Sequence, residues 1–462
     1  MDSKNNFHRL CVWLFYGLVF FLPFEIDFEI QNFYNLWITP LILLAILLFF
    51  LFLLEVFLSK KMPKIPYLSL VIIYGLGISV SYLKGFQFTS AIQILWVIFR
   101  LAWLPIILYI VALKFLNQNS SLMALKILSI SASISSLFAV IQTISGGEIF
   151  GGFITNQRYL GLFQKIPEWI VSGRMGNLYL MPQAIYRGHG GFHSSNLFGA
   201  FLSLTMCISW FLWRSSKRNR WFWLLMLILQ GLGIIVTFSR SAWAAILSAL
   251  WLAIVLEVIY LSKSNLDVKI VTLMFLSIIL GISILTLISI SEELRSRFIS
   301  LLNPLNVPEF VWRLEVWEQA IGEIIKHPLF GTGTYDVVVL PDRSGNLISY
   351  GAHNLFVGLA YQNGLISLMI FVYILWHGFF YRSWYLLRRC VNLEGRYFGI
   401  GIYTAGVAFV VSGIGSSLMA YENISFFFWI LIGMVVRSNF YNCQFVKLKQ
   451  SISQPEGGRI NA

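Results

Sequence analysis

Charge is scarce in this chain. Only 11% of its 462 residues are Asp, Glu, Lys or Arg, whereas a soluble domain carries about 25%, so a water-bathed globule is excluded. There are four cysteines. Cys11 and Cys207 fall in or beside apolar runs and Cys390 and Cys443 in polar segments read as cytoplasmic, which leaves no exported disulfide framework and no redox role. No Asp-x-Asp occurs, so a metal-bound nucleotide sugar is not indicated. No internal repeat is evident and the two halves are not visibly alike, which weakens a transporter built on repeats.

What fills the chain instead is apolar: 58% of the residues are hydrophobic and 16% aromatic. A bilayer crossing takes about 20 apolar residues, and such runs start near Leu10, Leu36, Ile65, Ala91, Leu122, Ser194, Trp221, Ser241, Ile270, Leu355, Tyr397 and Ile424. The expected fold is all-α, a polytopic membrane protein of about 12 transmembrane helices. We read residues 1–440 as a single transmembrane domain and 441–462 as a cytoplasmic tail, disordered on its polar composition. Pro23 with Glu25, Asp27 and Glu29 cuts the first run short, but no small-residue cleavage site follows, so it is kept as a helix.

Basic residues outnumber acidic ones 33 to 20, for a net charge of +13. An even number of spans puts both termini on one side, and most Lys and Arg then fall on that side while most Asp and Glu fall on the other. By the retention of basic loops inside, the termini are cytoplasmic. The basic residues lie in short loops facing headgroups rather than in one patch, so the charge implies the lipid bilayer as partner and no nucleic acid.

Two long loops are expected on the outer side, at about 146–193 and 291–353. The second contains a helix signal: Phe310, Leu314, Trp317, Ile321 and Ile324 recur at helical spacing, Pro308 suits a helix start and His327-Pro328 ends it. An amphipathic helix with Trp on its apolar face is expected to lie along the membrane interface, with Arg313 at the edge of that face.

Chemistry-bearing residues are few. Arg240, in Thr237-Phe238-Ser239-Arg240-Ser241-Ala242-Trp243, sits between two apolar runs with no acid near it, and is either functional or a snorkelling marker of a helix end. Arg187 precedes a glycine-rich junction, Gly188-His189-Gly190-Gly191, where close backbone approach and a helix start suit an anion, or merely a loop-to-helix turn. His189 and His193 are four apart, but two ligands without a third do not make a zinc site, and no metal is assigned. His353 opens a helix in Gly351-Ala352-His353-Asn354; it suits a general base or a helix-end residue. Gly331-Thr332-Gly333 is too short for a nucleotide fingerprint. Three arginines and a histidine on the outer half describe a site for an anion, with forks that match diphosphate oxygens, beside a base. Glu25 and Asp27 are the rival catalytic acids.

These residues also carry a resemblance. Arg187-Gly188-x-Gly190-x-Phe192-x-x-x-Asn196, then Ser239-Arg240-Ser241-Ala242, Arg313-x-x-x-Trp317, His327-Pro328-Leu329-x-Gly331-x-Gly333, His353-Asn354 and Asn363-Gly364-Leu365-Ile366, in that order, resemble the O-antigen ligase and O-antigen polymerase superfamily. The resemblance implies a glycosyltransferase of the bacterial inner membrane, with both loops periplasmic. It implies a glycan donor linked to undecaprenyl diphosphate and an acceptor such as lipid A core, another lipid-linked glycan or a protein hydroxyl. It further implies that Arg240 and Arg313 hold the diphosphate, with Arg187 assisting, that His353 activates the acceptor, and that no cofactor takes part. The rival of another class is a secondary transporter or flippase for an anion or a lipid-linked sugar.

Overall fold

The structure, a computed structural model, describes residues 2–24, 28–30, 36–60, 64–85, 91–146, 187–192, 194–262, 266–272, 274, 295–296, 299–300, 303, 305, 308–333, 336–341 and 347–437. Helices dominate. They are α1 (Asp2–Phe21), α2 (Pro40–Ser59), α3 (Leu68–Gly85), α4 (Ala91–Phe115), α5 (Gln118–Ile144), α6 (Ser195–Ser215) and α7 (Arg220–Val236). After these come α8 (Arg240–Tyr260), α9 (Pro308–Lys326), α10 (Leu355–Arg389), α11 (Leu393–Ile414) and α12 (Glu422–Val436). The all-α expectation omitted two short antiparallel hairpins, β1 (Phe28–Ile30) with β2 (Leu36–Ile38) and β3 (Asp336–Pro341) with β4 (Leu347–Gly351). Among the described residues eight helices are long and apolar enough to cross a membrane, and three apolar helices are shorter. The candidate span near Ile270 falls largely outside the described residues, as do Glu25, Asp27 and His193.

Local signals place several boundaries. Thr39 accepts from Ile42 N at 3.1 Å ahead of Pro40, and Asn117 and Ser120 form a reciprocal capping box at the start of α5. Outward faces are apolar, as a lipid solvent requires: Phe50 and Phe57 on α2 are 61% and 78% exposed. Inside, small and polar residues bring helices together. Buried Gln230 of α7 donates to Ser129 O at 3.0 Å, Ser133 Oγ at 3.1 Å and Ser209 Oγ at 2.9 Å, tying α7 to α5 and α6. Cys11 and Cys207 are buried free thiols. Cys390 is disulfide-bonded.

Helix α9 has the bounds that Pro308 and His327-Pro328 suggest, but a different face is packed. Val316 and Ala320 are buried against Ala352 and Tyr361, flanked by Trp312 and Ile324, while Leu314 and Ile321 stay exposed. The four-residue spacing of Trp312, Val316, Ala320 and Ile324 makes one row, and that row meets α10.

Helix α10 is broken. Gly364 has φ 79° and ψ 171°, and the turn after α9 closes on the break as a clamp. Thr332 N donates to Tyr361 O at 2.8 Å, Gly333 N to Gln362 O at 2.9 Å and Leu365 N to Pro328 O at 2.7 Å. Carbonyls freed by the kink thus keep partners inside the protein, as membrane depth demands.

Candidate functional site

Four helix ends meet on one side of the bundle. The C-terminus of α11 supplies Gly413 and Gly415, the turn between α7 and α8 supplies Thr237 to Arg240, α9 supplies Arg313, and the start of α10 supplies His353. Gly415 is the meeting point because it lacks a side chain. A methyl group there would stand 2.8 Å from Ser241 Cβ and 3.7 Å from Arg313 Nη1.

Arg313 enters from α9. Its Nη1 donates to Gly415 O at 3.1 Å, a carbonyl left open at the end of α11. The side chain is half-buried, and this bond directs it at the end of α11. Arg240 is the first residue of α8 and adjoins Ser241; its Nη1 donates to Ser300 Oγ at 3.2 Å. One guanidinium, that of Arg313, therefore binds the α11 terminus, and Ser241, the neighbour of Arg240, packs on the same Gly415.

Arg187 is held by the same turn. Its Nε donates to Thr237 O at 2.8 Å and its Nη2 to Asn196 Oδ1 at 2.8 Å. The glycine-rich stretch after it is built into the bundle. Gln142 Oε1 accepts from His189 N and Gly190 N, both at 3.0 Å, and its Nε2 donates to Gly190 O at 3.0 Å. Ser135 Oγ accepts from Gly191 N at 3.0 Å, and Gly191 bridges Phe24 at the end of α1.

His353 sits in the left-handed region at φ 45°, one residue before the cap of α10. That conformation is uncommon outside glycine and marks a constrained position. Asn354 supplies the cap, its Oδ1 accepting from Phe356 N at 2.9 Å and Val357 N at 3.1 Å. Trp317 Nε1 donates to Ala352 O at 2.7 Å, and the Trp312 ring lies 6.3 Å from the imidazole, so α9 fixes both Arg313 and the approach to His353. Leu355, two residues on, packs on Gly413, where an added methyl would come within 2.9 Å of its Cδ2. His353 and the Arg313 anchor thus flank the same helix terminus.

Of the other residues singled out, His189 is buried in the loop that Gln142 holds. His327 lies apart, its Nδ1 3.5 Å from Lys84 Nζ at the outer rim of the clamp. Among the described residues no three His, Cys, Asp or Glu side chains come together. Sequence reasoning passed over Gln142, Thr237, Trp312 and Gly415. It also passed over Arg100 and Glu422, which pair at 2.7 Å between α4 and α12 with side chains 24% and 13% exposed. The available signal was polar groups in apolar runs, where they tend to be structural ties or functional sites.

The fold is that of a multi-pass membrane protein, with Arg313 and Arg187 each bonded to a backbone carbonyl where its helices end or turn. The comparison with known families points to one class: residues 224–372 match the family model described as O-antigen ligase. That stretch contains Arg240, Arg313, His353 and the whole clamp from Pro328 to Gly364, and it supports a glycosyltransferase of the O-antigen ligase type. No curated protein matches the chain.

Proposed function

We propose that the protein transfers a glycan from undecaprenyl diphosphate to an acceptor hydroxyl at the outer face of the bacterial inner membrane, as an O-antigen ligase. The observation that supports this reading is that Arg313 binds the C-terminal carbonyl of α11, whose Gly415 packs on Ser241 beside Arg240, while Arg187 bonds the turn before Arg240 and Trp312 of the Arg313 helix adjoins His353. Donor diphosphate oxygens accept hydrogen bonds from the Arg240 and Arg313 forks, with Arg187 assisting from beside the α7–α8 turn that it bonds. His353 removes the acceptor hydroxyl proton as that oxygen attacks the anomeric carbon. The bond from the anomeric carbon to the phosphate oxygen breaks, and undecaprenyl diphosphate leaves with the electron pair while the guanidiniums stabilise its charge. No metal or other cofactor is needed in this scheme.

The acceptor distinguishes a ligase from a polymerase or a protein O-oligosaccharyltransferase, and we take lipid A core as the first candidate. The test is transfer of a labelled glycan from an undecaprenyl diphosphate donor by purified protein in detergent with chelator. Lipid A core and a lipid-linked glycan are offered as competing acceptors. We expect transfer to lipid A core, and a rate lowered about 10²- to 10⁴-fold in a properly inserted His353→Ala protein. Full activity of that variant would remove the histidine from the mechanism; donor binding with no transfer to any acceptor would favour a flippase.

A further inference from the structure

Helices α7 and α8 run antiparallel and are joined at the site end by the turn at residues 237–239. There they are close: Trp243 Nε1 of α8 donates to Ile234 O of α7 at 3.1 Å. At the opposite end they part and leave a groove of about 540 Å³. Leu227 lines it from α7 and Leu250, Ile254 and Val258 from α8, while Trp210, Trp213 and Arg214 of α6 and Tyr397 of α11 form its floor. By helix rise the mouth near Glu257 lies roughly 25 Å from Arg240, so the groove is separate from the site described above.

Its chemistry is divided. The walls are aliphatic, but the mouth is basic. Arg214 and Arg220 stand over the same Trp213 ring, at 5.2 and 5.3 Å from its centroid. Glu257, the acid among the lining residues, is already engaged: Arg214 Nε donates to its Oε2 at 3.0 Å and Tyr397 OH to its Oε1 at 3.2 Å. Lys217 and Arg218 follow on the exposed connection from α6 to α7, next to exposed Arg220. Among the described residues that line the groove, Glu257 is the one carboxylate and is paired with Arg214, while Lys217, Arg218 and Arg220 add positive charge above the apolar slot. An anionic head on an apolar chain complements both parts.

We propose that this groove is a binding site for one anionic phospholipid, with an acyl chain between α7 and α8 and its phosphate against Arg220 and Lys217. The inference is independent of the glycan-transfer reading. Aromatic residues at the floor suit this depth, where a lipid chain meets its headgroup.

The experiment is native mass spectrometry of the purified full-length chain in mild detergent, offered phosphatidylglycerol, phosphatidylcholine or inorganic phosphate. Phosphatidylglycerol should be retained at least about fivefold over phosphatidylcholine, in line with the attraction of a basic residue for an anionic surface. The exposed-surface variant Lys217→Gln with Arg220→Gln should lose that preference. Ile254→Trp, which fills the slot, should lower retention of both lipids. Equal retention of the two lipids, an unchanged preference in the double variant, or displacement of phosphatidylglycerol by inorganic phosphate would each overturn the proposal. The double variant stays decisive even if Ile254→Trp fails to fold.

Discussion

Arg187, Arg240, Arg313 and His353 were each visible in the sequence as ionisable residues in unusual surroundings, yet their partners were not. The position of Arg187 depends on Gln142, a residue 45 positions earlier whose amide both accepts from and donates to the loop backbone. Replacing Gln142 by Leu strands the His189 and Gly190 amides in a buried place, at about 1–3 kcal/mol for each unsatisfied group. We expect Gln142→Leu to lower the melting temperature in detergent and to raise the KM for the lipid-linked donor, with a smaller effect on kcat. An unchanged KM would mean that the loop is held by other contacts. At Arg313, substitution by Lys keeps the charge and loses the planar fork. Transfer should fall at least about tenfold in Arg313→Lys, and a rate near that of the unaltered protein would show that charge alone suffices. A glutamine near the end of an apolar helix was the signal for Gln142, and it does not name the loop that the amide holds.

At the scale of elements, the turn at Gly331-Thr332-Gly333 and the break at Gly364 are one device. The added Cβ of a Gly364→Ala protein would stand 2.1 Å from Leu329 O, in a backbone region at φ 79° that side chains rarely adopt. Gly322, in the middle of α9, has nothing within 4 Å of its virtual Cβ. Gly364→Ala should therefore destabilise the protein by more than about 1–3 kcal/mol, the usual cost of such backbone strain. Gly322→Ala should stabilise it by about 0.5–1 kcal/mol. Melting temperatures of the two variants check both; equal shifts would mean that the clamp carries no strain. The two halves of the clamp were legible separately as His327-Pro328-Leu329-x-Gly331-x-Gly333 and Asn363-Gly364, because glycine marks special backbone locally. Their mutual hydrogen bonds span some 30 residues and leave no local trace. The ends of α9 were likewise legible from Pro308 and Pro328. Its packed row was not, since the helix carries apolar residues on more than one side and the neighbour chooses among them.

For the molecule as a whole, the reading with cytoplasmic termini puts the connection near Asn219 on the inside and Lys326 on the outside. Both are exposed. In intact cells a membrane-impermeant thiol reagent should label Lys326→Cys and leave Asn219→Cys untouched until the membrane is opened; the reverse pattern would invert the protein and move the site to the cytoplasmic face. The membrane class and many of the spans were legible in the sequence alone, because bilayer thickness acts on composition and length. The four candidate residues could likewise be singled out from the sequence, since an ionisable group in an apolar run stands out by itself. Only the tertiary structure decided that Arg313 meets Gly415, that Arg187 is held by the turn carrying Arg240, and that α7 and α8 part to leave a groove beneath basic residues. Those facts depend on which small residues allow helices to approach and which carbonyls a helix end leaves open, and these are properties of packed neighbours rather than of any single segment.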